Sequence, residues 1–326
     1  MAELVDALAL GASLFTRWEF ESPSAHTDNL SKSSASERQP ASREGITMLE
    51  QKNLSLLQRY GLEFAVFMSG AAVMIFELVG SRITAPYIGT SIYAWSSLIG
   101  VILASLSVGY FVGGRYADSR PSLKPLATIL LLAAVAIALT ATIKDFIALL
   151  ITGWVSALEL KSVFIALLLF APASFLFGMV SPYALRLRLH DVDRSGKTVG
   201  NLSALSTVGS IVGTFLAGFV IIPHFGSTHS LMLLSFILLL TALNLMSGTR
   251  PWKAPKTLLV VLVSLLGLAQ LVALAEEKIF VANIDTLYNR IMLLQTTDHA
   301  TQKPILALAT DPYGLQAAMF TDGTDD

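Results

Sequence analysis

The chain has 326 residues, of which 54% are hydrophobic and only 14% are charged, and its mean hydropathy is +0.65. Soluble globular domains carry charge on roughly a quarter of their residues, so this composition indicates a membrane protein. A net charge of −1 offers no basic surface and disfavours nucleic acid as a partner. The lack of cysteine excludes disulfides, thiolate metal sites and a cysteine nucleophile.

Residues 1–61 form a polar N-terminal tail, and residues 1–47 of it are rich in serine. The short apolar stretch Leu8–Phe15 follows Glu3 and Asp6, where a secretory signal would carry positive charge. This composition is typical of a disordered tail.

A second interpretation concerns the coding sequence itself. The tetrapeptide Glu19–Ser22 can be back-translated to a stretch that contains the conserved T-arm loop of transfer RNA, and the run from Met1 to about His26 resembles a transfer-RNA gene read as protein. On this interpretation residues 1–47 are not native coding sequence, and translation starts at Met48.

Residues 62–275 contain the predicted membrane spans, and only about 9% of them are charged. A helix needs about 20 apolar residues to cross a hydrocarbon core of roughly 30 Å. Seven stretches meet this length: Leu62–Gly80, Ile92–Gly114, Pro125–Ile143, Val163–Pro182, Asn201–Ile222, Ser230–Ser247 and Thr257–Ala275. They lack the alternation of a β-barrel, so the sequence predicts an all-α polytopic bundle of about seven transmembrane helices.

Two features modify this bundle. The apolar run Phe146–Leu158 has thirteen residues and contains Gly153 and Trp154, so we expect an interfacial or re-entrant segment rather than an eighth span. Pro172 lies inside the fourth predicted span, where it removes a backbone donor and is expected to kink the helix.

The distribution of Lys and Arg predicts the orientation. With the N-terminus in the cytoplasm, the cytoplasmic segments hold twelve of these residues and the outer loops hold three. The twelve are Lys52, Arg59, Arg115, Arg120, Lys124, Arg186, Arg188, Arg194, Lys197, Arg250, Lys253 and Lys256, and the three are Arg82, Lys144 and Lys161. Seven crossings then leave the C-terminal tail outside.

Small residues predict where the helices approach each other, because lipid provides no hydrophobic drive for helix association. Gly209, Gly213 and Ala217 form one row at four-residue spacing, and Ser105, Gly109 and Gly113 form another. We interpret both rows as packing faces, with a substrate path lined by neighbouring Ser and Thr hydroxyls as the alternative.

Few ionisable residues lie at membrane depth, and such residues are functional candidates. Glu63 stands at the mouth of the first span, Glu77 lies about a turn from its far end, and Arg82 follows. Glu77 either pairs with a basic residue at the interface or binds substrate or a proton. His190, His224 and His229 are too scattered to predict a metal site.

The last segment, residues 276–326, has a different pattern. Tyr288–Thr296, Pro304–Thr310 and Leu315–Phe320 are predicted to be short strands separated by turn residues. The sequence thus predicts a short antiparallel β segment, soluble in character, after the helices.

Several motifs carry a family resemblance. They are Phe76-Glu77, Gly80-Ser81-Arg82, Ala85-Pro86-Tyr87, Gly89-Thr90-Ser91, Trp95, Gly113-Gly114-Arg115-Tyr116-Ala117-Asp118-Ser119-Arg120-Pro121, Gly178–Pro182 and Gly209–Thr214. Together they resemble the membrane module of bacterial membrane-bound spermidine synthase-like proteins, a transporter-like domain fused to a polyamine aminopropyltransferase. The loop with Arg115, Asp118 and Arg120 also resembles the cytoplasmic loop of major facilitator transporters, and Asp118 can pair with Arg115 or Arg120.

The resemblance extends into the C-terminal segment. Tyr288-Asn289-Arg290-Ile291 resembles a Ser-x-Tyr-Gln-x-Ile strand of the small β-domain that precedes the catalytic domain, which implies substrate contacts at Tyr288 and Asn289. Thr321-Asp322-Gly323 resembles the following Leu-Asp-Gly turn, and Asp326 stands where the family has a ligand-contacting Gln. The Rossmann-like catalytic domain that the family implies is absent from these 326 residues, so we expect a truncated product without catalytic residues.

Two functions follow from the resemblance. In the first, the helices anchor a synthase domain in the bacterial inner membrane, or supply substrate to it, with decarboxylated S-adenosylmethionine as co-substrate. That nucleotide is cytoplasmic, which conflicts with an outer C-terminal tail. In the second, the helices form a permease for polyamines or another small solute. A polyamine carrier should bury several carboxylates, and Glu77 is the one plausible case, which favours the anchor.

Overall fold

The computed structural model describes residues 56–189, 195–246, 256–279, 281–285, 290–297, 303–309 and 315–320. All of them belong to one of the two units into which the chain divides, Asn53–Asp326. The predictions for residues 1–47 lie outside the described residues.

The described residues form seven α-helices. They are α1 (Leu56–Ile88), α2 (Ile92–Ser119), α3 (Leu123–Trp154), α4 (Leu158–Arg188), α5 (Ser195–Leu216), α6 (Ile222–Met246) and α7 (Lys256–Ile279), with a π-helical segment (Ala217–Ile221) joining α5 to α6. Helix α1 begins before the predicted span start at Leu62, inside the segment predicted to be a polar tail.

Five helical stretches are long and apolar enough to cross a membrane. They are Tyr60–Ile88, Ile92–Ser119, Leu123–Trp154, Leu158–Arg188 and Ser195–Met246. The last has 52 residues and covers two of the predicted spans, and Val260–Val272 in α7 is a shorter apolar helix. The described helices are therefore compatible with a multi-pass membrane protein, and the count of seven spans stays a prediction.

The apolar run Phe146–Leu158 does not form a separate segment. Helix α3 continues through Phe146 to Trp154, where the cap residue Val155 takes an extended conformation, and α4 begins at Leu158. The prediction of a separate re-entrant segment is wrong, because Phe146–Trp154 supplies the last turns of one 32-residue helix. An interfacial position of these turns stays a prediction.

The predicted rows of small residues are packing faces. A Cβ built on Gly113 of α2 would lie 2.9 Å from the Cβ of Met179 in α4, and one built on Gly213 of α5 would lie 2.7 Å from the Cα of Ala71 in α1. Since real Cβ atoms do not approach other atoms so closely, only glycine permits these contacts. The backbones of α2 and α4, and of α1 and α5, therefore touch directly.

Aromatic rings and hydroxyl groups hold the interior together. The ring centroids of Phe76 and Phe170 are 5.1 Å apart, and Phe177 packs edge-on against Phe76 at 6.3 Å. In α6, the buried Ser235 hydroxyl donates to the Ala134 carbonyl at 2.8 Å. Because no water satisfies polar groups at this depth, such bonds tie neighbouring helices together.

Proline does not interrupt α4, which runs without a break through Pro172 and Pro182. The Thr140 hydroxyl of α3 lies 2.8 Å from the carbonyl oxygen of Leu169, within the turn that Pro172 deprives of a donor. This contact joins α3 to α4 one residue away from Leu168, whose carbonyl loses its donor to Pro172.

The chain turns at Gly226, inside the stretch labelled α6. Its backbone has φ 68° and ψ 178° within the helical stretch Ile222–Met246, and the Ser230 hydroxyl donates to its carbonyl oxygen. Only glycine adopts this combination readily. Gly226 therefore marks the boundary that the sequence predicted between Ile222 and Ser230.

A four-stranded antiparallel sheet follows α7. Its strands are β1 (Ala282–Asp285), β2 (Arg290–Thr297), β3 (Pro304–Ala309) and β4 (Leu315–Phe320). They lie side by side in the sheet in the same order as in the sequence. In β3, Ile305, Ala307 and Ala309 are buried in alternation with less buried residues, as expected for a strand with one covered face. The antiparallel β segment predicted from the sequence is confirmed, and β1 is an additional strand.

The outward surface of the helices is apolar. Large side chains with 49% to 71% of their surface exposed lie on several helices, among them Leu103, Phe111, Phe215, Phe219 and Leu240. In water such exposed apolar side chains would be an aggregation hazard. They form the surface that a helical bundle presents to lipid.

Candidate functional site

Charged residues gather at one end of the helical bundle, which we call the basic end. It comprises the C-terminal ends of α2 and α4, the start of α3, and the N-terminal turns of α1 and α5, with Glu63, Arg115, Asp118, Arg120, Lys124, Arg186, Arg188 and Lys197. Contacts between helices, described next, show that these residues share one end. Of the twelve Lys and Arg residues predicted on the cytoplasmic side, most lie either at this basic end or outside the described residues.

Asp118 of α2 pairs with Arg186 of α4. Its Oδ1 lies 2.8 Å from the Arg186 Nε, and both side chains are largely exposed. Neither predicted partner, Arg115 or Arg120, forms an ion pair with Asp118. The Arg115 guanidinium instead lies 4.1 Å from the centre of the Phe111 ring, one turn away on the same helix. The predicted pairing is wrong, because the contact between α2 and α4 brings Arg186 closer to Asp118 than its sequence neighbours.

Tyr183 fixes the turn between α2 and α3. Its side chain is fully buried, and its hydroxyl donates to the carbonyl oxygen of Arg120. The Tyr116 ring lies 6.0 Å from it, centre to centre. Arg120 therefore contributes its backbone to the packing of this loop.

Glu63 and Arg188 join α1 to α4. The Arg188 Nη2 donates to the Glu63 Oε1 at 2.8 Å, and the two side chains are 21% and 32% exposed, respectively. Partial burial reduces the screening of this pair by solvent and makes it stronger than the exposed pair of Asp118.

A cavity of about 610 Å³ opens beside this pair, between α1, α4 and α5. We call it the basic-end cavity. Its lining residues are Glu63, Arg188, Lys197, Thr198, Asn201, Leu202, Ala204, Leu205 and Val208. A second cavity, of about 420 Å³, lies beyond Leu202 and is lined mainly by hydroxyl and apolar side chains, including Tyr110, Ser181, Ser203, Ser206 and Thr207.

Glu77 is half-buried in α1. Within the described helices and strands its carboxylate forms no ion pair or hydrogen bond, so the expected pairing with a basic residue is not found there. Arg82 lies in the same helix, five residues further on, and not in an outer loop as predicted.

Sequence reasoning missed a polar cluster inside the bundle. Lys144 of α3 is 2% exposed and pairs with the Asp145 carboxylate, which also accepts a hydrogen bond of 2.6 Å from the Tyr87 hydroxyl of α1. The prediction placed Lys144 in an outer loop, and Lys161 as well, although Lys161 lies in the first turn of α4. This cluster could have been predicted from the adjacent Lys144 and Asp145, which lie within one continuous helical stretch.

Other candidate residues cannot be located in the described part of the chain. Tyr288, Asn289, Asp326 and the turn Thr321–Gly323 lie outside the described residues, as does His190. Across the described parts of the chain, no cluster of three or more His, Asp or Glu side chains could hold a metal ion.

Comparison with protein-family models, with curated proteins and with solved structures found no match for this chain.

Proposed function

We propose that this chain is the integral membrane module of a spermidine synthase-like protein of the bacterial inner membrane, with a cytoplasmic N-terminus. Its helices anchor an aminopropyltransferase domain or supply substrate to it. In the reaction, a diamine nitrogen attacks the aminopropyl carbon beside the sulfonium of decarboxylated S-adenosylmethionine. A C–N bond forms, the C–S bond breaks, and the amine loses a proton.

The order of the elements supports this proposal. An apolar helical bundle ends with α7, and an antiparallel sheet begins at Ala282 directly after it. The motif resemblance implies this arrangement, in which a small β-domain lies between the membrane helices and the catalytic domain.

Charge neutralisation within the bundle argues against a polyamine carrier. Glu63, Asp118 and Asp145 each pair with a cationic side chain of the protein. A carrier for polycations needs carboxylates that the substrate can neutralise. These three are already engaged.

The alternative, a permease for polyamines or another small solute, is favoured by Glu77 alone, which lies inside a span without an ion pair among the described residues. Transport decides between the two. We expect proteoliposomes that contain the purified chain to take up radiolabelled spermidine or putrescine no faster than protein-free liposomes. Saturable uptake that is abolished in a correctly folded Glu77→Gln variant would contradict the anchor function and support a permease.

The side of the sheet tests the synthase part of the proposal. A green fluorescent protein fused after Phe320 should fluoresce, because the nucleotide substrate is cytoplasmic, and alkaline phosphatase fused at the same point should be inactive. The opposite pattern would agree with seven crossings and contradict the anchoring of a cytoplasmic synthase. In a strain that lacks spermidine synthase, an aminopropyltransferase domain fused after residue 326 should restore spermidine from the membrane fraction, whereas the chain alone should not.

A further inference from the structure

We propose that the basic-end cavity binds the headgroup of one anionic phospholipid, with an acyl chain lying along α5. The inference does not depend on whether the helices serve as an anchor or a permease. It follows from the arrangement of polar and apolar residues along the cavity.

The cavity has a polarity gradient along the axis of α5. Its lining residues from this helix begin with Lys197, Thr198 and Asn201, and continue with Leu202, Ala204, Leu205 and Val208. From Lys197 to Val208 the helix rises about 16 Å. The polar residues thus lie at the end of the bundle, and the apolar residues lie towards its middle.

The polar part of the cavity suits a phosphate. The described lining residues there carry two positive charges, on Arg188 and Lys197, and one negative charge, on Glu63. Asn201 adds an amide donor. A guanidinium and an ammonium group beside neutral donors form a typical site for a phosphate oxyanion.

The apolar part distinguishes a lipid from a free anion. Val208 is 50% exposed, and Ala204 is exposed beside it, so the cavity is open along the side of α5. An inorganic phosphate would gain nothing from Leu205 and Val208, whereas an acyl chain would cover them. Basic pockets between transmembrane helices at the cytoplasmic side are sites at which acidic lipid headgroups bind.

Native mass spectrometry of the full chain in detergent provides the test. The probes are phosphatidylglycerol and phosphatidylcholine with identical acyl chains, and inorganic phosphate as competitor. We expect one phosphatidylglycerol to be retained in preference to phosphatidylcholine, and phosphate at millimolar concentration not to displace it. Equal retention of the two lipids, or displacement by phosphate, would overturn the proposal.

Three variants locate the site. Lys197→Gln should weaken phosphatidylglycerol binding about five-fold, as expected for one cation near a phosphate. Lys124→Gln, a matched change of an exposed lysine at the same end but outside the cavity, should leave binding unchanged. Equal losses in both variants would indicate a diffuse basic surface and contradict a site.

Glu63→Gln gives a result of opposite sign. It removes the negative charge from the cavity and releases Arg188 from its ion pair, so phosphatidylglycerol binding should become stronger. Size-exclusion chromatography verifies that each variant folds. A folded Glu63→Gln protein with weaker binding would contradict the assignment.

Discussion

Gly109 of α2 and Gly178 of α4 face each other without side chains between them. A Cβ built on Gly109 would lie 2.9 Å from the Cα of Gly178, and one built on Gly178 would lie 3.0 Å from the Cα of Gly109. The contact is reciprocal, so neither glycine can be replaced without moving a whole helix.

We predict that Gly109→Ala destabilises the folded bundle by about 1–3 kcal/mol, the usual cost of overpacking a close contact. Unfolding of the detergent-solubilised protein by increasing mole fractions of SDS measures the loss. The control is Gly100→Ala in the same helix, since a Cβ at Gly100 meets no atom within 4 Å. This variant should be neutral or stabilised by up to about 1 kcal/mol because alanine favours the helix. Equal destabilisation of both variants would contradict the packing explanation.

The turn at Gly226 should tolerate no side chain. We predict that Gly226→Ala costs about 1–3 kcal/mol, because the observed φ and ψ lie in a region that L residues rarely occupy. The thermal midpoint, followed by fluorescence-detected size-exclusion chromatography, should fall. Gly218→Ala, eight residues earlier and with nothing within 4 Å of its Cβ, is the control. If the two variants melt together, backbone strain at Gly226 is not the cause.

Lys144 should stabilise the fold through its ion pair with Asp145 rather than through the packing of its side chain. We predict that Lys144→Met destabilises the protein by about 3 kcal/mol, because the Asp145 charge loses its cation in a poorly solvated place. The double variant Lys144→Met/Asp145→Asn should recover most of that loss, since no unpaired charge remains. Lys161→Met serves as the control for removal of a lysine near the same helix junction. A double variant as unstable as the single one would show that Lys144 acts through packing.

The buried hydroxyl of Tyr183 should contribute modestly to stability. Tyr183→Phe keeps the ring in place and removes the donor to the Arg120 carbonyl, so we predict a loss of about 1 kcal/mol. The same SDS titration measures it, with Tyr93→Phe at an exposed position of α2 as the control. No change in Tyr183→Phe would mean that water replaces the hydroxyl at this end of the bundle.

Much of the helical architecture could be predicted from local sequence. A long apolar run in lipid has to be helical, and the four-residue spacing of Gly209 and Gly213 already places both on one face. The turn residues predict strand β4 at its observed position and β3 with one residue more than it has. These features depend on residues close together in the chain.

Features that depend on distant residues were not predicted. Asp118 pairs with Arg186 because α2 and α4 touch at glycines, and no local rule identifies that neighbour. The predicted span ends at Ile143 and so places Lys144 in a loop, whereas α3 continues to Trp154 with Lys144 and Asp145 inside it. Strand β1 has only four residues, too few for a recognisable alternation.

The four-residue spacing of the glycine contacts restricts how the helices can move against each other. The close backbone contact at Gly109 is followed by one at Gly113, and the contact at Gly209 by one at Gly213. In each pair the second contact lies about 6 Å further along the helix axis. A smaller displacement would drive Cβ atoms of the intervening residues into the opposing backbone. Any sliding of α2 on α4, or of α5 on α1, would therefore occur in steps of about one turn, like a ratchet rather than a piston.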